Sequence, residues 1–462
     1  MSGAVRITAL ATGFVMASLD VTAINVAGAA IQRDVGASLA ELTWIVDGYV
    51  LVFASLLMLA GGLADRVGAR TVYLWGMAIF VVASLGCALA PTAGVLIAAR
   101  LLQGAGAALF MPSSLSLLVA AFPGKRQRTR MLGLWSAIVA TATAVGPTVG
   151  GLLVSAFDWQ SIFLINLPVG LAGVLLTLRF IAPSERRDHV LAVPGHALWI
   201  AALAALSCTL IEGPRLGWTA GPLLVAYAVL VVAAALLVLR ERRAAAQVMP
   251  WELFRVPAFT GANLAGFLFN FALYGSVFML SLFFQHARGA SAFQAGLQLL
   301  PMTIWFPLGN IVYARISARI SNGALLTAFL LVAGIASLTM TTVSPSTPYW
   351  VLATAVAVSG TGAGIISPGM TAALVDAAGV RHANAAGSVL NANRQIGTLV
   401  GVAVMSVVLG TAADWTRGPA IAFLVVGIAY LAGAAGSWLL IARPASASDQ
   451  RVALDPAPSR RG

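Results

Sequence analysis

The chain has 462 residues, 60% of them hydrophobic and only 9% charged, and its mean hydropathy is +0.93. No soluble domain of this size carries that composition, and the apolar runs recur at the length of membrane spans, roughly 20 residues each. A β-barrel would show short alternating segments instead, so the fold class is an all-α polytopic membrane protein. The net charge of +12 does not indicate nucleic acid. The arginines sit in short loops on one side of the spans, and no separate basic domain exists. Cys87 and Cys208 fall inside apolar runs and read as buried thiols rather than a disulfide. The first apolar run continues past any small-residue cleavage site, as a first span does and a cleaved signal peptide does not.

Taken in chain order, the hydropathy predicts fourteen spans, at 8–31, 42–63, 71–90, 93–120, 131–156, 160–181, 191–211, 219–240, 258–285, 292–313, 323–343, 348–372, 383–411 and 418–441. One set of loops carries Arg66 and Arg70, then Lys125, Arg126, Arg128 and Arg130, Arg186 and Arg187, Arg240, Arg242, Arg243 and Arg255, and Arg315 and Arg319. The opposite loops hold Arg33, Arg215, Arg288 and Arg417. The asymmetry places both termini in the cytoplasm of a cell bounded by this plasma (inner) membrane. The pattern divides into a six-helix bundle (1–182), a two-helix linker with cytoplasmic loops (183–255), a second six-helix bundle (256–442) and an Ala-, Ser- and Pro-rich tail (443–462) expected to be disordered. Spans 7 and 8 read only as a lipid-facing pair. A weak internal repeat marks the six-helix halves as pseudo-symmetric: Arg66 and Arg70 match Arg315 and Arg319, and Gly146 and Gly150 match Gly397 and Gly401. Repeated halves with a site between them are the build of alternating-access transporters.

Several residues carry chemistry out of proportion to their surroundings. Asp20 lies near the middle of span 1, where an ionised carboxylate costs roughly 3 kcal/mol or more. It must face a water-filled cavity, find a partner or stay protonated. A proton carrier and an interhelical hydrogen-bond donor are both readings of it. Arg100 in span 4 reads as a cavity-facing charge or as a side chain reaching for the interface. Asp47, near the outer end of span 2, reads as a solvated acid. In span 5, Gly146, Pro147, Gly150 and Gly151 break the rules of a soluble helix interior; they predict close helix packing, a bend and a pivot. Gly61, Asp65, Arg66, Gly68 and Arg70 predict a tight turn between spans 2 and 3, with Asp65 free to cap the next helix and the arginines to pair across the loop. Asn263, Phe267, Asn270 and Tyr274 share a face of span 9, and Asn384, Ser388, Asn391, Gln395 and Thr398 share one of span 13, with Arg394 adjacent. Such stripes serve as helix-to-helix glue or as the wall of a substrate cavity, to which Asn25 and Gln103 would also contribute. His189, His196, His286 and His382 lie at or near loops and form no ligand cluster, and Glu185 and Asp188 balance neighbouring arginines. No P-loop is present, so no metal site or nucleotide cofactor is expected.

The run Gly61-Gly-Leu-Ala-Asp-Arg-Val-Gly-Ala-Arg70 resembles the loop 2–3 signature of the major facilitator superfamily, with Ala69 where a basic residue is usual and Tyr73 where Leu is usual. Arg100-Leu-Leu-Gln-Gly-Ala-Gly106 resembles that family's span 4 motif, whose arginine is linked to proton coupling, and the Gly-Pro run of span 5 resembles its antiporter motif. Leu19-Asp-Val-Thr-Ala-Ile-Asn-Val26 and the stretch from Trp159 to Gly170 are similar to the fourteen-span drug/proton antiporter branch, although Gly28 and Ala29 replace its usual Leu-Pro.

The resemblance implies the major facilitator fold with 14 transmembrane helices in a six-plus-two-plus-six order. It also implies a proton-coupled exporter of a small amphipathic molecule, working as a monomer, with Asp20 and Arg100 at the coupling site. A dedicated metabolite exporter, a symporter and a uniporter share the same signatures; a membrane enzyme or a sensor is disfavoured by the lack of a catalytic cluster.

Overall fold

The computed structural model describes residues 2–122, 124–184, 186, 192–242, 251–412 and 414–443. The side chains at 2–4, at several positions from 125 to 144 (among them Lys125, Arg126, Arg128 and Arg130) and at 380–385 lie outside that description. Expectations for Glu185, Arg187, Asp188, His189, Arg243, the His382 and Asn384 side chains and the tail from Pro444 therefore fall outside the described residues.

Thirteen helices among the described residues are long and apolar enough to cross a membrane. They are α1 (Val5–Val35), α2 (Leu39–Val67), α3 (Ala69–Ala88), α4 (Ala93–Ala121), α6 (Ser161–Phe180), α7 (Val193–Leu216), α8 (Gly221–Glu241), α9 (Pro257–Ala287), α10 (Ala292–Ile316), α11 (Asn322–Thr342), α12 (Tyr349–Gly379), α13 (Ala386–Thr411) and α14 (Arg417–Ala442). Between α4 and α6 runs the 33-residue α5 (Lys125–Phe157), which completes the expected order of fourteen. These helices are apolar on most faces, as spans are, and polar residues punctuate their ends. Ser38 and Glu41 form a reciprocal capping box at the start of α2, Thr92 caps α4 and Ser321 caps α11. Gly379, with φ 70°, breaks the helical run between α12 and α13.

Successive helices reverse direction, so the loops rich in arginine share one end, here the basic end. Small residues set how closely the helices approach. A Cβ at Gly76 would meet the backbone of Gly106 and Phe110, which locks α3 on α4; one at Gly104 would meet the Tyr49 carbonyl, which locks α4 on α2. The internal repeat is visible in the same terms. Gly146 and Gly150 of α5 lie on Thr22 and Ala23 of α1, while Gly397 and Gly401 of α13 lie on Phe267 and Phe271 of α9.

The contacts that join the first six helices to the last six cluster at the end away from the basic loops. Thr43 of α2 and Ser406 of α13 share a hydrogen bond of 2.6 Å, Ser281 of α9 donates to the Asn25 carbonyl at 2.7 Å, and the Phe293 amide donates to Ser155 at 3.2 Å. Gly151 and Gly296 let α5 and α10 touch backbone to backbone, through Ala292 on one side and the Pro147 carbonyl on the other.

Three expectations change. First, α7 is not merely lipid-facing. Trp44 of α2 donates to Glu212 at 2.8 Å, Arg215 bonds the same carboxylate at 2.7 Å, and Leu203 shares a buried cluster with Leu399 of α13. By contrast α8 keeps Val225, Val231 and Leu239 exposed, the surface lipid would cover. Second, Gly61 lies inside α2, and Gly68 alone makes the turn, with φ 103°. Third, Asp65 is exposed and does not cap α3, whose N-cap position is Gly68. Cys87 is buried and Cys208 half-buried, and both are free thiols.

Gly104→Val tests the packing argument. Its side chain overlaps the α2 backbone, where overpacking costs about 1–3 kcal/mol. A clear loss of monodisperse protein in detergent is expected on size-exclusion chromatography, and a normal yield would contradict the close α2–α4 approach.

Candidate functional site

Asp20 and Arg100 form a direct ion pair, and both are sealed from solvent. The pair is built by five helices. Gln103, one turn along α4 from Arg100, accepts from the guanidinium at 2.6 Å and donates to the second Asp20 oxygen at 2.9 Å. It also donates to Ser84 of α3 at 3.0 Å, and Ser84 accepts from Asn166 of α6 at 3.3 Å. Arg100 Nε donates to the Ile45 carbonyl of α2 at 2.9 Å, and its guanidinium carbon stands 4.5 Å from the Tyr49 ring centre. The carboxylate is thus bonded on both oxygens, and the cation is shared between an acid, an amide, a carbonyl and an aromatic face. Such completeness offsets the several kcal/mol that desolvating each ion costs. The interface-seeking reading of Arg100 is therefore wrong: the side chain turns inward and finds a charge.

Asp47 also departs from expectation. It is fully buried, not solvated, and neither carboxyl oxygen has a hydrogen-bond partner among the described residues. It lies on α2 one turn from Thr43, which meets α13, and from Trp44, which meets α7.

Between the two six-helix sets, beside the ion pair, lies a cavity of about 250 Å³ lined by Val21, Ile24, Asn25, Val46, Val50, Arg100, Tyr274, Thr398 and Val402. A larger apolar cavity of about 480 Å³ lies wholly among α9–α12 and α14, between Leu273, Met302, Met340, Val356 and Tyr430, and no charged group lines it. The smaller cavity is the candidate site, because there, unlike in the larger one, both halves and a charged group meet.

The sequence-selected residues divide accordingly. Asn25 and Tyr274 line the cavity. Gln103 instead spends its amide on the ion pair. Asn263 and Asn270 are buried and donate back to their own helix, to Phe259 and Gly266, while Asn393 donates to the Asn263 carbonyl and so ties α13 to α9. Phe267 stacks on Phe271 with centroids 6.4 Å apart. Arg394 and Gln395 are partly buried and Asn391 is exposed, on the turns of α13 next to cavity-lining Thr398. Gly146, Pro147, Gly150 and Gly151 wedge α5 between α1 and α10. At the basic end Arg70 donates to the Leu178 carbonyl at 2.8 Å and its amide to Ser184 at 3.1 Å, tying the loop to α6 instead of pairing with Asp65; Arg66 is exposed. Ser84, Tyr49 and Asn166 are not singled out by the sequence, whereas Thr398 belongs to the span 13 stripe and does line the cavity. A serine and a tyrosine within apolar spans give no signal until the fold brings them to Arg100.

The family model for the Major Facilitator Superfamily matches residues 10–402. The chain belongs to the major facilitator superfamily. It is 73% identical over 440 residues to the methylenomycin A resistance protein of Streptomyces coelicolor, covering 95% of this chain and 93% of that protein. It is 48% identical over 434 residues to the protein of the same name from Bacillus subtilis, covering 94% and 93%. It is 34% identical over 406 residues to the tetracenomycin C resistance and export protein of Streptomyces glaucescens, covering 87% and 75%. Together with the apolar helices, this membership makes the chain a multi-pass membrane protein and a transporter rather than an enzyme.

Removing one ion of the pair strands the other. Arg100→Ala is expected to destabilise the protein by about 3–5 kcal/mol, and Asp20→Asn combined with Arg100→Gln by much less. Thermal unfolding of purified protein checks this; equal losses for both variants would mean the pair is not coupled.

Proposed function

We propose that this major facilitator is a proton-coupled antiporter that exports an amphipathic antibiotic by alternating access, with methylenomycin A as the first cargo to test. The observation that carries the reading is the Asp20–Arg100 pair, sealed in the first six helices with Arg100 in the wall of the cavity between the halves. The resistance proteins it resembles supply the cargo class.

In this reading a proton and the cargo compete. Protonation converts the Asp20 carboxylate to an acid and frees Arg100, which falls back on Gln103, the Ile45 carbonyl and the Tyr49 ring. The halves, 1–182 and 256–442 with the 183–255 linker between them, then rock about α5, whose glycines let it bear on both α1 and α10. In this reading the membrane is a bacterial plasma membrane and the basic end and both termini face the cytoplasm, an orientation that the arginine-rich loops favour. The end joined by Thr43 and Ser406 is then the outer one, so the described state is closed outward. The Gly61–Arg70 loop docks on α6 and biases which state dominates. A membrane potential adds about 2.3 kcal/mol per unit charge moved per 100 mV. No cofactor besides the proton is invoked, and a monomer suffices.

Cells lacking other exporters and expressing the chain are expected to tolerate methylenomycin A at several-fold higher concentration. Asp20→Asn, at equal membrane level, and a protonophore are each expected to abolish that gain. Normal tolerance with Asp20→Asn would remove Asp20 from coupling. A second measurement addresses alternation. With no other cysteines present, Thr43→Cys together with Ser406→Cys is expected to form a disulfide under oxidant, stopping export, and reductant is expected to restore it. Continued export by the cross-linked protein would show that this end does not open.

A further inference from the structure

Charge is unevenly distributed along the gap between the halves. Arg100 is balanced by Asp20. Arg394, one helical turn along α13 from cavity-lining Thr398, has no such partner. Its guanidinium makes no ion pair or hydrogen bond among the described residues, and the residue is partly buried. The other described acids in the spans are placed elsewhere. Asp34 accepts from Trp159 and Gln160, Glu41 belongs to the α2 capping box, Asp65 is exposed at the basic end, Asp47 is fully buried and does not line the cavity, Glu212 is held by Trp44 and Arg215, Glu241 is bonded to Arg240, and Asp376 is exposed at the basic end beside Asn322. The stem of Arg394 packs near Gly266 of α9, the helix that also carries cavity-lining Tyr274. A partly buried planar cation one helical turn from the cavity wall, with no acid of its own among the described residues, is a receptor for a planar anion on an apolar body.

We propose that Arg394 recognises an anionic group, a carboxylate or its equivalent, on the exported molecule, and that the site selects against lipophilic cations. The proposal rests on the export reading and narrows its cargo to amphipathic acids. A cation in the cavity would meet the Arg100 guanidinium in its wall and Arg394 one turn beyond, and the unpaired Asp47 is not among the lining residues, whereas an acid would give Arg394 the partner it lacks among the described residues. The arrangement also gives the second half a task distinct from the first: α1 and α4 handle the proton, and α9 and α13 read the cargo.

Three probes sharing one ring separate the possibilities: naphthalene-2-carboxylate, its methyl ester, and (naphthalen-2-ylmethyl)trimethylammonium. Their equilibrium binding is measured by titration calorimetry on the full chain in nanodiscs of purely zwitterionic lipid, without a proton gradient. The carboxylate is expected to bind about tenfold or more tightly than the other two, the scale of one charge-assisted contact. Arg394→Gln is expected to erase the preference and Arg394→Lys to keep part of it. If Arg394→Gln does not insert, wild-type competition between carboxylate and cation still decides. Equal or better binding of the ester or the cation, no binding of the carboxylate, or a preference that survives Arg394→Gln overturns the proposal. So does loss of carboxylate binding to the wild type on adding phosphatidylglycerol, which would assign Arg394 to a lipid headgroup. Because no gradient is used, this test can fail while Asp20-dependent export stands, and the reverse.

Discussion

A carboxylate and a guanidinium that are both shut away from water must satisfy each other, and the geometry of the first six helices follows from that demand. Asp20 comes from α1 and Arg100 from α4. Gln103 bridges them and is itself held by Ser84 of α3, which Asn166 of α6 also reaches. The α2 backbone, through the Ile45 carbonyl, accepts from Arg100 Nε. Five helices thus converge on one neutral pair of ions. In a low-dielectric interior such a network is rigid when complete and costly when half complete. That is the property a coupling site needs: adding one proton changes which contacts are affordable, and the helices carrying them must answer.

For the helices to converge, they must come close, and small residues make that closeness. Gly104 brings α4 within reach of the Ile45 carbonyl and the Tyr49 ring by removing the side chain that would strike α2. In lipid no hydrophobic drive pushes helices together, so backbone proximity and dispersion contacts do that work. The same device recurs in the second half, where Gly397 and Gly401 seat α13 on α9 as Gly146 and Gly150 seat α5 on α1. The two halves share a packing plan and differ in charge: the first contains a closed ion pair, the second an arginine left open. An asymmetric site inside a symmetric frame lets one motion serve two ligands.

The junction between the halves is mixed. Hydroxyl and amide contacts at Thr43, Ser406, Ser281, Ser155 and Phe293, with glycines allowing α5 and α10 to touch, accompany a buried apolar cluster that runs from Val26, Leu42 and Val46 of the first half to Leu282, Leu299 and Met405 of the second. The linker helix α7 spans it, with Glu212 tied to α2 and Leu203 clustered with Leu399.

The amino-acid sequence alone determined the class, the order of helices, the side bearing the arginines and the residues worth attention, because apolar length, loop charge and an acid in a lipid-depth run are local properties written position by position. Asp20, Arg100 and the span 5 glycines were legible for that reason. The tertiary structure alone decided who meets whom. That Gln103 serves the ion pair rather than the cargo, that Asp47 is buried without a partner, that Ser84, Tyr49 and Thr398 belong to the site, and that α7 contacts both halves depend on contacts between helices far apart in the chain. Helical periodicity states which face a residue occupies; only packing states what stands opposite that face, and in a membrane lipid, protein and a water-filled cavity are all candidates for it.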